Sequence, residues 1–389
     1  MRKFFKSKLI SGALFLMAYY AANAVFQSFM SLYLTDRGLN GAKIGTINAV
    51  IAFVSVPTMY LWGRAGDRAA SRNRLLAAMA VISTAVILLL PLQGSFAYAL
   101  IVLGLFGCVY TSLQPMGDSI VLTNLDSEGL PFGGVRLAGG LTFAVVAALF
   151  GYVSDYFGSV TVVYGTAAMC LMVALAALNM PRVSSKGQAA SARGAGKLLG
   201  NPEVIRLFAL MVLLQITYGY YYAFFSPLLR DDLGGGENLV GWSFFISACS
   251  EAPFLIFSDR LIKKLGAGKL MCLAAAVMTV RWMILATTSS PYVALAAQVL
   301  HGFGFIVITV SAAKYIQKVA GDGEKATGQL LLGVFGFGLA RGIGYLAGGA
   351  LSDVITRQGV FYITAGICFV CLAVFAPYYF RHKPLNGED

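Results

Sequence analysis

The sequence predicts an all-α membrane protein of twelve transmembrane helices, arranged as two six-helix pseudo-symmetric bundles. Three observations predict it. The 389 residues are 58% hydrophobic and only 12% charged, with mean hydropathy +0.75, whereas a soluble globular protein carries about 25% charged residues. Twelve apolar runs approach or exceed the length of about 20 residues needed to cross a bilayer. Related motifs recur at corresponding places in the two halves.

The runs cover 9–35, 43–63, 74–93, 95–124, 133–153, 158–180, 203–229, 239–258, 269–289, 291–317, 326–352 and 357–380. The first continues well past the ~15 apolar residues of a cleavable leader and has no clear small-residue cleavage site, so it is expected to stay as a helix. The 44 glycines suit such an architecture, because small residues let membrane helices approach closely. Residues 1–180 form the expected N-terminal bundle and 203–389 the C-terminal one. Between them lies 181–202, PRVSSKGQAASARGAGKLLGNP, whose Ser/Gly/Ala-rich basic composition reads as a solvated cytoplasmic tether.

Positive charge sets orientation. With a cytoplasmic N-terminus, the inside segments hold Arg2, Lys3, Lys6 and Lys8, then Arg64, Arg68, Arg72 and Arg74. The linker region adds Arg182, Lys186, Arg193, Lys197 and Arg206. Arg260, Lys263, Lys264 and Lys269, then Lys314, Lys318 and Lys325, and finally Arg381 and Lys383 complete that side. Only Arg37, Lys43, Arg230 and Arg357 fall outside. Both termini are therefore expected in the cytoplasm, and the net charge of +12 reflects membrane orientation rather than nucleic-acid binding. The cytoplasmic membrane and a monomer are the expected setting.

Two motifs repeat between the halves. Gly63-Arg-Ala-Gly-Asp67-Arg68 follows the second run and Phe257-Ser-Asp259-Arg260 the eighth. Gly151-Tyr-Val-Ser-Asp155 ends the fifth and Gly349-Ala-Leu-Ser-Asp353 the eleventh. Two parallel six-helix halves joined by a cytoplasmic linker meet the requirement of an alternating-access carrier.

Charges inside the apolar runs mark candidate sites, since each costs about 2.5–3.5 kcal/mol at a membrane helix centre. Asp118 follows an uncharged run from Gly94, and Arg136 leads into another that lasts to Ser154. On facing helices these opposite charges would form either a wet site or an ion pair that locks two helices. Glu251, Arg281, His301 and Arg341 are the other ionisable groups set well inside runs.

Burial favours the protonated form of a carboxyl and a nearby Arg opposes it. Asp118, with Arg136 beside it, is expected to bind substrate and is the alternative proton carrier. Glu251, which could approach Arg281 or His301, is expected to carry the proton, or to be a fixed structural charge if it pairs strongly with Arg281. His301 is a relay or substrate candidate, or a satisfied polar group. Arg341 would hold an anionic substrate group or close a network with Glu251.

Aromatics gather on the seventh run (Tyr218, Tyr220, Tyr221, Tyr222, Phe224, Phe225) and on the first (Tyr19, Tyr20). They suit stacking on a solute, or packing and interface anchoring. Asn23, Gln27, Gln215, Tyr218 and Tyr222 are candidate pocket lining. Gln114 and Gln298 are buried amides in need of partners. Cys368-x-x-Cys371 has redox spacing but lies in an apolar run and reads as packing. No metal cluster, phosphate loop or nucleophile elbow is visible, and the histidines, His301 and His382, offer no catalytic constellation, so an enzyme is not expected.

The loop after the second run, Gly63-x-x-x-Asp67-Arg68 with Arg72, resembles the signature loop of the major facilitator superfamily, and the resemblance covers essentially the whole chain. Within it, Pro115-Met-Gly-Asp118 and Gly134-Val-Arg136-Leu-Ala-Gly139 resemble the substrate-binding acid and arginine of proton-linked permeases of the lactose-permease type. The likeness is closer to their phenylpropionate- and nucleoside-permease relatives. Glu251-Ala-Pro-Phe, Val280-Arg281-Trp282 and Gln298-Val-Leu-His301 are similar to that group's buried acid, arginine and histidine.

Two positions depart from lactose-type permeases: Phe143 stands where a sugar-stacking Trp would, and Gly304 where a proton-carrying carboxylate would. Both agree better with the phenylpropionate-type relatives. The resemblance implies the major facilitator fold and proton-coupled symport (uptake) of a small organic solute such as an oligosaccharide, nucleoside or aromatic acid. A proton gradient would be the driving force, with no cofactor and no metal. It also assigns Gly63, Asp67, Arg68, Arg72, Asp259 and Arg260 to the cytoplasmic gate motif. A proton-linked drug exporter and a sodium-coupled symporter are the alternatives; the absence of proline between Pro131 and Pro181 counts against export, since such exporters usually carry a Gly/Pro motif in the fifth span.

Overall fold

A computed structural model describes residues 2–183, 198–321 and 324–381. Lys186, Arg193 and Lys197 of the linker and His382 and Lys383 of the tail lie outside the described residues. Among the described residues, 12 helices are long and apolar enough to cross a membrane. They are α1 (Lys8–Asp36), α2 (Gly41–Arg68), α3 (Arg72–Leu92), α4 (Phe96–Asp126), α5 (Phe132–Phe157) and α6 (Thr161–Asn179). The second set is α7 (Pro202–Asp232), α8 (Gly236–Leu265), α9 (Ala267–Thr287), α10 (Pro291–Val319), α11 (Thr327–Ile355) and α12 (Arg357–Arg381). The all-α, twelve-span reading holds. Several helices overrun their apolar stretches: α2 continues to Arg68 and α8 to Leu265, because a helix need not stop where the hydrocarbon does.

The two sets pack by the same plan. α1 packs on α5 and α6, and α3 on α4 and α6. Correspondingly, α7 packs on α11 and α12, and α9 on α10 and α12. The order of helices alone maps one scheme onto the other, which is the structural form of the repeated motifs.

Internal contacts divide the chain into two units. Unit 1 comprises Met1–Leu39, Val50–Ala189 and Gly236–Phe245; unit 2 comprises Asn40–Ala49, Ala190–Gly235 and Ile246–Asp389. The first turns of α2 thus belong to unit 2, and those of α8 to unit 1. Glycines explain why these short segments pack so closely. In unit 2, a Cβ on Gly45 would lie 3.1 Å from Gly349 Cα; in unit 1, one on Gly151 would lie 2.7 Å from the Glu237 carbonyl oxygen.

α4, α10 and α11 are among the spans that break their regular hydrogen bonding near polar residues. α4 is interrupted by a turn at Thr111–Ser112, where Pro115 has no N–H to offer the residue four positions earlier. In α10 the stretch Ala297–Leu300 tightens to a 3-10 helix. There the Ser250 hydroxyl accepts the Gly302 N–H at 2.8 Å and lies 3.4 Å from the Gln298 carbonyl, inserting into the helix's own ladder. In α11 a π-helical stretch, Gly333–Ala340, runs up to Arg341. Such wide turns recur at functional sites.

Candidate functional site

In unit 1 the polar residues form a chain across α1, α4 and α5. Gln114 Nε2 donates to the Tyr20 hydroxyl at 3.1 Å. The Arg136 guanidinium lies 4.9 Å from the centre of the Tyr20 ring, a cation–π distance. Arg136 Nη1 is 3.7 Å from Asp118 Oδ2. That separation is Coulombic rather than hydrogen-bonded, and the Arg136 side chain remains 44% exposed, so the two are not a sealed structural pair. Asp118 Oδ1 is buried with no hydrogen-bond partner among the described residues.

Gly139 sets this geometry. A Cβ there would lie 2.6 Å from Tyr20 Cδ2, so only glycine lets the ring settle against α5 one turn beyond Arg136. Asn23 Nδ2 donates to Gln27 Oε1 at 3.1 Å, and Phe143 meets Phe244 edge-on with centroids 6.3 Å apart. No hydrogen bond or ring contact among the described residues links Asn23, Gln27 or Phe143 to the Asp118–Arg136 pair.

Unit 2 gathers its polar residues around two arginines. The first, Arg281, is fully buried. Its guanidinium stacks 4.3 Å from the Tyr221 ring centre and 4.7 Å from that of Trp282, and Nη2 donates to Gln298 Oε1. The same oxygen accepts from Tyr221 Oη at 2.8 Å and Ser247 Oγ at 3.2 Å. Three donors converge on an oxygen with two lone pairs, while Arg281 Nε and Nη1 have no partner among the described residues.

The second, Arg341, is caged by rings: Tyr222 at 4.7 Å, Phe337 at 4.8 Å and Phe305 at 5.6 Å from its guanidinium carbon. Its Nε donates to Gln215 Oε1 at 3.1 Å. Close backbone contact between α7 and α11 fixes it in place, since a Cβ on Gly219 would lie 2.9 Å from Arg341 Cα.

Glu251 Oε1 lies 3.5 Å from His301 Nε2. His301 is buried and stacks on Phe305, centroids 5.4 Å apart. It meets Tyr218 and Tyr222 edge-on. Of the two neighbours foreseen for Glu251, the structure places His301 at this distance, while Arg281 donates to Gln298. The place of Gly304 is also explained. A Cβ there would lie 2.5 Å from the Tyr218 hydroxyl, so that ring holds the space a longer side chain would need.

Two features are visible only in three dimensions. Gln298, predicted merely as an amide needing partners, is the acceptor hub of unit 2. Ser250, not singled out from the sequence, shapes the backbone just before His301. Elsewhere, Asp67 Oδ1 pairs with Arg72 Nη2 at 2.6 Å, Asp259 pairs with Lys314, and Arg260 lies 6.0 Å from the Phe257 ring centre. Arg68 ends α2, and Gly63 faces open space. Cys368 and Cys371 are buried free thiols. Among the described residues no cluster of three or more His, Cys, Asp or Glu is placed to hold a metal ion.

Comparison with known proteins agrees with this architecture. The family model described as the MFS_1 like family matches residues 9–363. The chain is 27% identical over 368 residues to the maltose permease of Geobacillus stearothermophilus, covering 93% of this chain and 92% of that protein. It is 26% identical over 314 residues to the probable 3-phenylpropionic acid transporter of Escherichia coli (strain K12), covering 78% and 81% respectively. The crystal structure of the nucleoside transporter NupG superposes with TM-score 0.81 at 17% identity, covering 97% of this chain and 99% of that one. These relatives are named as permeases and transporters rather than enzymes. The chain belongs to the MFS_1 like family and is a multi-pass membrane transporter of the major facilitator type.

Proposed function

We propose that the protein takes up a small organic solute together with a proton, by alternating access in the cytoplasmic membrane. Both termini would lie in the cytoplasm, and a monomer without cofactor would suffice, driven by the proton gradient. The observation that carries this reading is the Glu251–His301 contact of 3.5 Å. It sets a membrane carboxylate beside a second proton-accepting group that packs against the rings of Tyr218, Tyr222 and Phe305. Glu251 carries the proton, His301 relays it or senses it, and Arg281 tunes the pair from its Gln298 anchor. Asp118 and Arg136 in unit 1, and Arg341, Gln215, Tyr218 and Tyr222 in unit 2, take the substrate. Asp67, Arg68 and Arg72, with Asp259 and Arg260, act at the cytoplasmic gate motif. The relatives' names, a maltose permease and a probable 3-phenylpropionic acid transporter, support a small organic solute as the cargo.

A specific observation supports one second reading of the coupling residue: the open Oδ1 of Asp118 could accept the proton instead. The test is external pH in lightly buffered, de-energised cells given oligosaccharides, nucleosides and aromatic acids. Alkalinisation with one class, abolished by Glu251→Gln, is the expected result. Alkalinisation that survives in Glu251→Gln moves the role to Asp118. Solute uptake that requires sodium, or solute efflux without alkalinisation, replaces the proposal with sodium symport or export.

A further inference from the structure

The polar groups of unit 2 are unbalanced in a way that bears on substrate chemistry. Among the residues set well inside its spans, Arg281 and Arg341 are permanent cations, and Glu251 is the one carboxylate. The cluster therefore carries a positive excess within apolar helices, and protonation of Glu251 or His301 would only increase it. Glu251 reaches His301, while each arginine is anchored to a neutral amide: Arg281 to Gln298 and Arg341 to Gln215. No described ion pair involves Arg341.

The hydrogen-bond inventory leans the same way. Among the described residues, Arg341 Nη2, Gln215 Nε2, Tyr218 Oη, and Arg281 Nε and Nη1 are buried without a partner. These five atoms can all donate, whereas His301 Nδ1, also buried without a partner among the described residues, accepts when Nε2 holds the proton. Gln215, Tyr218 and Arg281 are essentially inaccessible, so bulk water does not satisfy them. Unsatisfied donors and an uncompensated cation in low dielectric call for an anion that brings several acceptor lone pairs.

From this we infer that the transported solute is an organic carboxylate, and that its anionic end is held by Arg341 with Gln215. The rings around Arg341 (Tyr222, Phe305 and Phe337) would receive the apolar part of the same molecule. This deepens the uptake reading by naming the substrate class, and it rests on that reading only for the direction of transport. It selects acids over oligosaccharides and neutral nucleosides.

The experiment is ligand-induced thermal stabilisation of the purified full chain in detergent. Benzoate and 3-phenylpropionate are compared with their uncharged amides and with maltose and uridine. The acids are expected to raise the melting temperature and the neutral compounds to leave it unchanged. Arg341→Gln should weaken acid binding by about tenfold or more, as for loss of a charge-assisted hydrogen bond, and Arg341→Lys should restore part of it. The decisive variant is Gln215→Glu. By giving Arg341 an internal carboxylate, it should raise the melting temperature of the empty protein and abolish stabilisation by acids, an outcome that misfolding cannot imitate.

Stabilisation by the amides, maltose or uridine equal to that by the acids would overturn the inference. So would failure of every acid to stabilise, or undiminished acid binding by Gln215→Glu. Proton movement is not part of this readout. Acid binding with no alkalinisation in cells would therefore sink proton coupling and leave the charge assignment standing, and maltose-driven alkalinisation would do the reverse.

Discussion

Asp353 closes over the start of α2 by accepting the Gly41 backbone N–H at 2.7 Å. Its second oxygen accepts the Ala42 N–H at 2.9 Å. The first N–H groups of a helix have no partner within it, and the helix dipole favours an anion there. One carboxylate therefore satisfies two orphan donors and the dipole together. In unit 1, Asp155 Oδ1 accepts the Glu237 N–H at the start of α8 at 3.2 Å. Asp155 and Asp353 are the last residues of the repeated Gly-x-x-Ser-Asp motif, so the repeat encodes a cap that reaches a distant segment of chain. Asp353→Ala should cost about 1 kcal/mol of stability, the usual loss of a cap. Asp353→Asn, still an acceptor, should cost less. Melting temperatures of the two variants decide this, and equal values would argue against a capping role.

Adjacent glycines on α5 should respond with opposite sign. A Cβ at position 139 meets the Tyr20 ring at 2.6 Å, whereas one at 140 meets nothing within 4 Å. Gly139→Ala should lose about 1–3 kcal/mol through overpacking and misplace Tyr20 over Arg136. Gly140→Ala should be neutral or gain up to about 1 kcal/mol, because glycine is a poor helix former. Thermal unfolding of both proteins checks the sign.

Gln298 should tolerate an acidic replacement better than an apolar one. Leucine would strip the acceptor from Arg281, Tyr221 and Ser247 at once and leave a buried cation uncompensated, a loss of about 3–5 kcal/mol. Gln298→Glu keeps the acceptor and adds a counter-charge. Yield and melting temperature after purification should rank wild type and Gln298→Glu well above Gln298→Leu. A well-folded Gln298→Leu protein would show that the hub is dispensable.

Gly304 and Tyr218 should be energetically coupled. Because the Tyr218 hydroxyl lies 2.5 Å from where a Cβ at 304 would be, Gly304→Ala should destabilise by about 1–3 kcal/mol. In a Tyr218→Phe background, without that oxygen, the same change should cost clearly less. A double-mutant cycle measures the difference, and simple additivity would mean that another atom limits the space.

What the sequence made legible was governed by contrast. Charges such as Asp118, Arg136 and Arg341 stand out against uncharged runs, and the apolar interior of a bilayer demands runs long enough to count. The Gly-x-x-Ser-Asp repeat was equally visible, but its hydrogen-bond partners lie far along the chain, on Gly41 for Asp353 and on Glu237 for Asp155, and no local pattern points to them. The same limit hid Gln298. An amide in an apolar run says that partners exist, but Arg281, Tyr221 and Ser247 come from three different helices. Backbone irregularity was not foreseen in any span. A proline inside a run does not by itself locate a break, since Pro57 and Pro253 lie within continuous helices while α4 turns just before Pro115. A serine such as Ser250, which enters the ladder of α10, carries no such signal.

The placement of Asn40–Ala49 in unit 2 and Gly236–Phe245 in unit 1 has a consequence for biosynthesis. A ribosome releases α1 to α6 before the first turns of α8 exist, so the Gly151 surface of α5 must remain uncovered until Gly236–Phe245 arrives. The opening of α2, made among the earliest segments, must wait still longer for Gly349 and Asp353. Neither unit can mature as a vectorial, self-contained product of translation. Completion of the chain is itself a folding step: nascent chains ending before α8 should present both glycine faces, and those ending between α8 and α11 only the α2 face, to lipid or to the insertion machinery.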